Sequence, residues 1–287
     1  TNGTFRGGPA IFGGTAGTVQ VDNSLGAIVV SGMQFMADGY VLDGLTATDT
    51  ITLTPATGTQ VEIAVGDKNS IPYTATINAG LTGAAELVKS DAGTLVLTNT
   101  GNDYSGGTRI EDGTLSISSD GNLGRSAGGQ LDTALTLAGA TNQVATLQNT
   151  QAISTTRQVT LEGTGGTFQT DADLTLGGDV GGAGGLVKTG AGTLTLSGAN
   201  SYGGGTTVQA GTLKAGSATA FGATSGTLTV NGGTADLNGQ SMTLAGLSGT
   251  GGAVKLGDNT VGASTLTLNQ AAATASYAGV ISGAGAL

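Results

Sequence analysis

The sequence Leu-Val-Lys-Ser-Asp-Ala-Gly-Thr-Leu-Val-Leu at residues 87–97 returns as Leu-Val-Lys-Thr-Gly-Ala-Gly-Thr-Leu-Thr-Leu at residues 186–196. Each copy continues through Asn-x-Tyr-x-Gly-Gly-Thr to a Gly-Thr-Leu that ends at Leu115 in the first copy and at Leu213 in the second. A third copy begins at Ile281. Long self-similarity at a nearly constant spacing is the signature of a repeat architecture, in which each repeat packs against its neighbours along the chain.

The repeats also set the expected domain organisation. Repeat units occupy about residues 86–124 and 185–222, and a third unit starts at residue 281. Because the units recur from residue 86 to the last residues of the sequence, we expect a single β-helix fragment over residues 1–287.

Short alternating segments run through the chain. Residues 115–117, 135–137, 174–176 and 194–196 place apolar residues two apart, with Ser or Thr between them. This period of two is that of a β-strand with one buried and one outward face. Clusters of Gly, Asn and Asp separate the segments and supply turns. No stretch shows the 3.6-residue apolar period of an amphipathic helix.

The composition limits how such strands can pack. Gly accounts for 55 of the 287 residues, while 10% of residues are charged and 3% are aromatic. Gly and Thr are poor helix formers, and so few aromatic side chains would not fill the wide core of a sandwich or barrel. A solenoid has a narrow core, which Leu, Val and Ile fill by stacking on their counterparts one turn away. We therefore predict an all-β fold, a β-solenoid with an assumed length of about 20–25 residues per turn.

The residue types that are missing exclude several kinds of chemistry. The chain has no Cys and no His, so zinc sites built on these residues, Ser-His-Asp triads and Cys-His pairs are excluded. The formal net charge of -10 disfavours nucleic acid and anionic membrane surfaces as partners. No apolar run approaches the roughly 18 residues of a membrane-spanning helix, so we expect no membrane insertion by this fragment.

The repeated unit closely resembles the passenger-associated transport repeat of bacterial type V autotransporters. Residues 21–26, 32–35 and 38–40 are also similar to a segment that recurs in large autotransporter passengers. The resemblance implies a right-handed, single-stranded parallel β-helix that forms part of a passenger. It also implies export through the periplasm and across the outer membrane to the bacterial surface or the secreted fraction. A C-terminal translocator β-barrel is then expected in the full-length protein.

Within the repeats, we assign structural roles to the positions that recur in both copies. The leucines should form a ladder in the core and the glycines should form turns, while each lysine should be a solvated residue that covers a turn. Each tyrosine should pack on the solenoid wall at a corner, with its hydroxyl near a turn carbonyl. The positions are Leu87, Lys89, Gly93, Leu95, Leu97, Tyr104, Leu115, Leu186, Lys188, Gly192, Leu194, Leu196, Tyr202 and Leu213.

Carboxylates are the candidate groups for acid–base catalysis in this sequence. Asp171 and Asp173 alternate onto one face of a predicted strand, and Glu111 and Asp112 are adjacent; some β-helix enzymes use paired carboxylates on sugar polymers. Basic and aromatic neighbours are scarce around them, so surface charge is the favoured interpretation. Residues 232–239 half match a calcium-binding nonapeptide but are not iterated as that repeat must be. We predict no catalytic residue, no metal site, no cofactor and no enzymatic activity.

These observations predict a surface-exposed β-helix stalk that acts in adhesion or self-association, with repeats that support folding and secretion of the passenger. Its partners would be host surface or matrix components, or another copy of itself. One alternative is a β-helix enzyme that acts on polysaccharide. A second alternative is an ice-binding solenoid with threonines in rows. The candidate rows are Thr50/Thr52/Thr54, Thr193/Thr195 and Thr265/Thr267.

Overall fold

A computed structural model describes residues 8–66, 71–125, 134–258, 260–270 and 276–287. Within these residues the regular structure is almost entirely β-strand, with short 3-10 helices at Asn23–Leu25 and Asp120–Leu123. None of the described helices is long and apolar enough to cross a membrane. The paired strands run parallel, so the prediction of an all-β parallel solenoid is confirmed. The right-handed winding stays a prediction.

The chain divides into two compact units, residues Thr1–Gln148 and Asn149–Leu287. One strand, β15 (Thr146–Asn149), spans the division between them. The strands of the first unit are β1 (Pro9–Phe12), β2 (Thr18–Val21), β3 (Ile28–Val30), β4 (Gly32–Phe35), β5 (Tyr40–Gly44), β6 (Thr50–Leu53), β7 (Gln60–Val65), β8 (Thr74–Ile77), β9 (Gly80–Thr82), β10 (Glu86–Ser90), β11 (Thr94–Leu97), β12 (Thr108–Ile110), β13 (Thr114–Ile117) and β14 (Leu135–Leu137).

In the first unit the chain visits three parallel sheets in rotation. One sheet has the order β1-β4-β7-β10-β12-β14, the second has β2-β5-β8-β11-β13, and the third has β3-β6-β9. Consecutive strands fall in different sheets, and up to β10 every third strand returns to the same one. The backbone therefore winds as a solenoid, and each turn adds one strand beside the strands of the turn before.

The second unit has the same construction. Its strands are β16 (Ile153–Thr155), β17 (Val159–Leu161), β18 (Gly165–Thr170), β19 (Leu174–Leu176), β20 (Val180–Gly181), β21 (Gly185–Thr189), β22 (Thr193–Leu196), β23 (Thr206–Val208), β24 (Thr212–Ala215), β25 (Thr227–Val230), β26 (Thr234–Asp236), β27 (Met242–Leu244), β28 (Gly246–Ser248), β29 (Ala253–Lys255), β30 (Ser264–Leu268), β31 (Val280–Ser282) and β32 (Gly285–Ala286). Its strands run side by side in the orders β16-β19-β22-β24-β26-β29-β31, β18-β21-β23-β25-β28, β27-β30-β32 and β17-β20.

The strand register gives the length of a turn. In the first unit Leu95 lies beside Ala75 and Leu115, so each step is 20 residues (95 − 75 and 115 − 95). In the second unit the step from Leu194 to Leu213 is 19 residues (213 − 194). Other turns are longer, with 35 residues from Tyr40 to Ala75 (75 − 40) and 27 from Thr108 to Leu135 (135 − 108), so turn length varies more widely than the predicted range of about 20–25 residues.

The core consists of the inward-facing residues of successive turns. Leu95, Leu115 and Leu194 are fully buried, whereas Val96 and Thr195, which alternate with them, are partly exposed. The β-branched and aliphatic side chains of these segments favour the extended backbone, and burial of each leucine contributes about 1.5–3 kcal/mol. The narrow core explains why a chain so poor in aromatic residues can fold.

Candidate functional site

Lys89 lies in β10 with its side chain fully buried. Its ammonium donates hydrogen bonds to the carbonyl oxygens of Ser90 at 2.8 Å and Asp91 at 2.6 Å, and to that of Asp112 on the next turn at 3.0 Å. An ammonium has three protons, so each has a backbone acceptor. Asp91 and Asp112 belong to corners, where strand pairing stops and carbonyls need another donor.

Lys188 has the same surroundings in the second repeat. It is fully buried in β21, and its ammonium donates to the carbonyl oxygens of Thr189 at 2.6 Å, Gly190 at 2.9 Å and Ala210 at 3.1 Å. Ala210 follows β23, the strand that lies beside β21, so this lysine also joins its own turn to the next. We call each set, a lysine with its three carbonyls, a lysine–carbonyl cluster.

The expectation that these two lysines are solvated is wrong. Each lysine points into the solenoid, because in the strand ladder it lies beside inward-facing residues such as Ile63 for Lys89 and Val208 for Lys188. Burial of an ammonium is costly unless other groups replace its water. The corner carbonyls of two consecutive turns supply that replacement.

The ionisation of the two lysines reflects this burial. Burial lowers the pKa of Lys89 to about 8, and the carboxylates of Asp112 and Asp91 oppose the shift. Burial also lowers the pKa of Lys188 to about 8, in this case against the carboxylates of Asp171 and Asp173. At neutral pH both ammonium groups are still mostly protonated, so the clusters carry buried positive charge.

A second polar element of the repeat lies where a sheet is interrupted. The third sheet of the first unit ends at β9, and the next turn places Asn102 beside it. The Asn102 Oδ1 accepts a hydrogen bond from the Leu81 backbone N–H at 2.9 Å, and its Nδ2 donates to the Asn122 carbonyl at 2.9 Å. The amide thus bonds the turn before and the turn after, in place of a strand.

Asn200 does the same in the second repeat. Its Oδ1 accepts from the Val180 backbone N–H at 2.8 Å, and its Nδ2 donates to the Ala220 carbonyl at 3.0 Å. Val180 lies in β20, which ends its row of strands as β9 does. A buried amide therefore spans three consecutive turns in each repeat.

The third polar element is a tyrosine–threonine pair. The hydroxyl of Tyr104 lies 2.7 Å from the Thr108 Oγ1, and that of Tyr202 lies 2.7 Å from the Thr206 Oγ1. The Tyr202 hydroxyl also donates to the Ala220 carbonyl, at 3.4 Å. Each hydroxyl is near a turn carbonyl as expected, but both rings are fully enclosed and do not lie on the outer wall. Burial raises the pKa of Tyr202.

The remaining repeat positions form the core and its tight corners. A Cβ at Gly93 would collide with the carbonyl oxygens of Val65 and Tyr73, and one at Gly192 would collide with that of Ala172. Only glycine therefore fits at these two corners. The repeat leucines are each at most 1% exposed: Leu87, Leu95, Leu97, Leu115, Leu186, Leu194, Leu196 and Leu213.

The sequence analysis did not assign four buried polar residues that complete these elements. Asn102 and Thr108 in the first repeat correspond to Asn200 and Thr206 in the second, at a constant offset of 98 residues (200 − 102 and 206 − 108). The recurrence of these residues at matching positions was the feature of the sequence from which a buried role could have been predicted. Thr and Asn are also common in turns, so their identity alone did not distinguish a buried role from an exposed one.

The carboxylates considered for catalysis are engaged in structural bonds. Asp171 and Asp173 lie in the turn after β18 and not on a strand face, which corrects that expectation. The Asp173 Oδ1 accepts from the Thr193 N–H at 2.8 Å, and the Glu111 Oε1 pairs with the Arg109 Nε at 2.9 Å. Asp112 accepts from two backbone N–H groups. These contacts hold corners of the solenoid.

Among the residues that the structure describes, each unit has a surface groove. The groove in the second unit has a volume of about 300 Å³ and borders the outer edge of β27, between Thr219 and Thr243; none of its lining residues is ionisable. The groove in the first unit, of about 200 Å³, includes Asp43 and Asp49. Backbone hydrogen bonding by Asn23 and bonds from Thr46 lower the pKa of Asp49, so this carboxylate stays ionised as a loop anchor.

The proposed threonine rows differ in length. Thr193 has Thr212 and then Thr234 beside it in the register. Thr195 lies between Thr175 and Lys214 in the register, so a charged side chain interrupts the row after one step. In the half-matched calcium segment, Asp236 lies 3.6 Å from Lys255. Within the described ranges, no three His, Cys, Asp or Glu side chains come together in a way that could hold a metal ion.

Comparison with known proteins indicates the class of protein to which the chain is similar. The passenger-associated transport repeat family matches residues 87–117 and 186–215, the two segments that contain the lysine–carbonyl clusters. Together with the stacked parallel strands, these repeats support the interpretation of the chain as a passenger segment of an autotransporter.

A particular relative supports this class. The chain is 42% identical over 181 residues to the adhesin BmaC autotransporter of Brucella suis biovar 1 (strain 1330). The match covers 62% of this chain and 5% of that protein, so the chain spans a small part of the length of its relative. No solved structure is significantly similar to the chain. The class places the chain at the cell surface or in the secreted fraction, reached through the outer membrane.

Proposed function

We propose that the chain is a stalk segment of an adhesive passenger, and that its transport repeats stabilise consecutive turns so that the passenger folds and is secreted. The observation that carries the proposal is the lysine–carbonyl cluster, which occurs in both repeats and bonds one turn to the next. Its partners would be host surface or matrix components, or a second copy of the chain.

The folding role is supported by the concentration of buried polar bonds in the repeats. A turn of a solenoid gains stability only when its neighbour is in place, so a freshly exported turn is marginal by itself. Lys188 and Asn200 each bond groups of a neighbouring turn through buried, directional contacts. Such contacts favour the addition of a correctly placed turn over loose apolar collapse.

The adhesive role is supported by the relative and by the surface. The relative carries the name of an adhesin. On this chain the outward strand faces are lined by small polar residues such as Thr175 and Thr195, and the larger groove has no ionisable lining. Extended faces of this kind suit contact with a large partner better than turnover of a small substrate.

The adhesion proposal is tested by display. The chain is presented on a non-adherent laboratory bacterium from an autotransporter translocator, and an unrelated passenger solenoid is displayed at the same surface density as control. We expect more bacteria bound to cultured host cells or matrix proteins, or faster settling of the culture if the partner is another copy. Equal binding and equal settling for both passengers would reject the adhesive role.

The absence of enzymatic activity is also part of the proposal. Purified chain is incubated with acidic and neutral glycans, and new reducing ends are measured. We expect the same reducing-end signal with and without the chain. A signal that rises with chain concentration would favour the polysaccharide-degrading alternative.

A further inference from the structure

The apolar pattern of the strands leaves their alignment under-determined. In β19 and β22, Leu174 and Leu176 lie beside Leu194 and Leu196. A slip of two residues would place Leu196 beside Leu174 and would keep every leucine on the core face, because side chains alternate with a period of two. Apolar burial alone therefore discriminates weakly between the native alignment and one that is shifted by two residues.

We propose that the buried lysine of each transport repeat fixes the register between its own turn and the next. This inference rests on the proposed folding role of the repeats and specifies how they act. In the native alignment the lysine ammonium has a complete set of three acceptors. A buried polar group that specifies alignment in this way has a precedent in helical coiled coils.

The geometry of Lys188 shows why only one alignment satisfies it. Thr189 and Gly190, which supply two of its acceptors, follow it directly in the chain and move with it. The third acceptor, the Ala210 carbonyl at 3.1 Å, belongs to the next turn. A two-residue slip moves that turn by about 6.6 Å along the strand, which takes the carbonyl out of hydrogen-bonding range.

The lysine of the first repeat also takes one acceptor from the next turn. Lys89 takes its third acceptor, Asp112, from the next turn at 3.0 Å, and Asp91 and Ser90 move with the lysine. The two lysines are 99 residues apart (188 − 89), and one lies in each unit, so a register-fixing residue recurs along the chain. Leu-Thr-Leu strands that resemble one another lie between these points.

Cysteine pairs can report the register because the chain has no cysteine of its own. Val187 of β21 lies beside Thr207 of β23, and both side chains face outward. The pair Val187→Cys/Thr207→Cys therefore crosslinks in the native register. The pair Thr189→Cys/Thr207→Cys crosslinks only after a two-residue slip, because Thr189 precedes the corner and is two residues beyond Val187.

The experiment introduces each cysteine pair into the unchanged chain, into Lys188→Met and into Lys214→Met. Lys214→Met is the matched control, because it removes the same charge from a partly exposed strand position. Each protein is unfolded, refolded under mild oxidation and mapped for the two crosslinks. In Lys188→Met we expect the ratio of slipped to native crosslinks to rise about tenfold or more, because the native alignment loses hydrogen bonds to a charged group. In Lys214→Met we expect this ratio to stay unchanged.

Two results would overturn the proposal. One is a Lys188→Met chain that refolds with the native crosslink alone, which would show that register is fixed elsewhere. The other is a Lys188→Met chain that loses cooperative unfolding altogether, which would make the lysine a residue of stability and not of alignment. The display assay reads adhesion with the unchanged chain, so failure of adhesion and failure of the register proposal are distinguishable.

Discussion

The ammonium of Lys188 lies 3.1 Å from the carbonyl oxygen of Ala210, a residue that is 22 positions away in the chain (210 − 188) and one turn further along the solenoid. This contact joins two turns through a fully buried charge. Lys89 and Asp112 form the equivalent contact in the first repeat. The transport repeat is therefore defined structurally by polar bonds between turns as well as by its leucines.

Loss of the lysine should weaken the fold without abolishing it. In Lys188→Met, three corner carbonyls lose their donor, and we expect the free energy of unfolding to fall by about 1–3 kcal/mol. Lys214→Met should change it by less than about 0.5 kcal/mol, because that side chain is partly exposed. Urea unfolding followed by circular dichroism measures both. Equal stability of the two variants would contradict the structural role of the cluster.

The pH dependence of stability should carry the signature of the buried lysines. Their pKa is about 8 in the folded chain and about 10.4 in an unfolded one. Between these values the unfolded chain binds more protons than the folded chain, so the free energy of unfolding should rise with pH. Below pH 8 both states hold the proton and this contribution is flat.

The measurement compares the unchanged chain with the variant Lys89→Met/Lys188→Met at several values from about pH 7 to pH 9.5. We expect the stability difference between the two proteins to shift in favour of the unchanged chain as pH rises above 8. Both proteins contain the same tyrosines, so any contribution of tyrosine ionisation cancels in the difference between them. A difference that stays constant across this range would show that neither lysine changes its pKa on folding.

The buried amide of the repeat should be as sensitive as the lysine. Asn200→Leu keeps the side-chain volume but removes the acceptor of the Val180 N–H and the shorter of the two hydrogen bonds to the Ala220 carbonyl. We expect a loss of about 1–3 kcal/mol in the free energy of unfolding. Asn231→Leu is the control, because Asn231 is exposed and accepts only long bonds from Thr250. A loss of the same size in the control would mean that the effect is not specific to the bridge.

The leucine ladder gives the simplest test of the inward and outward faces. Leu194→Asp places a carboxylate in the core and should cost about 3–5 kcal/mol. Thr195→Asp adds the same charge one residue later, on the outward face beside Lys214, and should change stability by less than about 0.5 kcal/mol. Thermal unfolding separates the two outcomes. Unchanged thermal stability in Leu194→Asp would count against the core assignment.

The fold and the ladder could be predicted from the sequence because they depend on local alternation. Leu194 and Leu196 with Thr195 between them specify a strand with one buried face, and the repetition of that pattern specifies stacking. The small aromatic content then excluded a wide core. The number of residues per turn was predictable only as a range, because it depends on how many corner residues each loop uses.

The polar interior was not predictable in the same way. Lysine is almost never fully buried, so solvent exposure was the reasonable expectation for Lys89 and Lys188. Corner carbonyls make burial of the lysine possible because they accept hydrogen bonds from its ammonium. These carbonyls come together around the ammonium only when two turns are aligned. Asn102 was missed for the same reason, since its two partners lie 20 or more residues away in the chain.

The central claim is that successive turns stack in parallel and in register, and adjacent-turn crosslinking tests it most directly. Thr175 lies beside Thr195, and Thr195 lies beside Lys214. Cysteines at 175 and 195 should form a disulfide in the folded chain, while cysteines at 175 and 214 should not, because two turns span about 9.6 Å and a disulfide needs Cα atoms within about 6.8 Å. Rapid crosslinking of the first pair alone is the predicted result. Crosslinking of the second pair as readily as the first would contradict the stacked arrangement and the repeat contacts that depend on it.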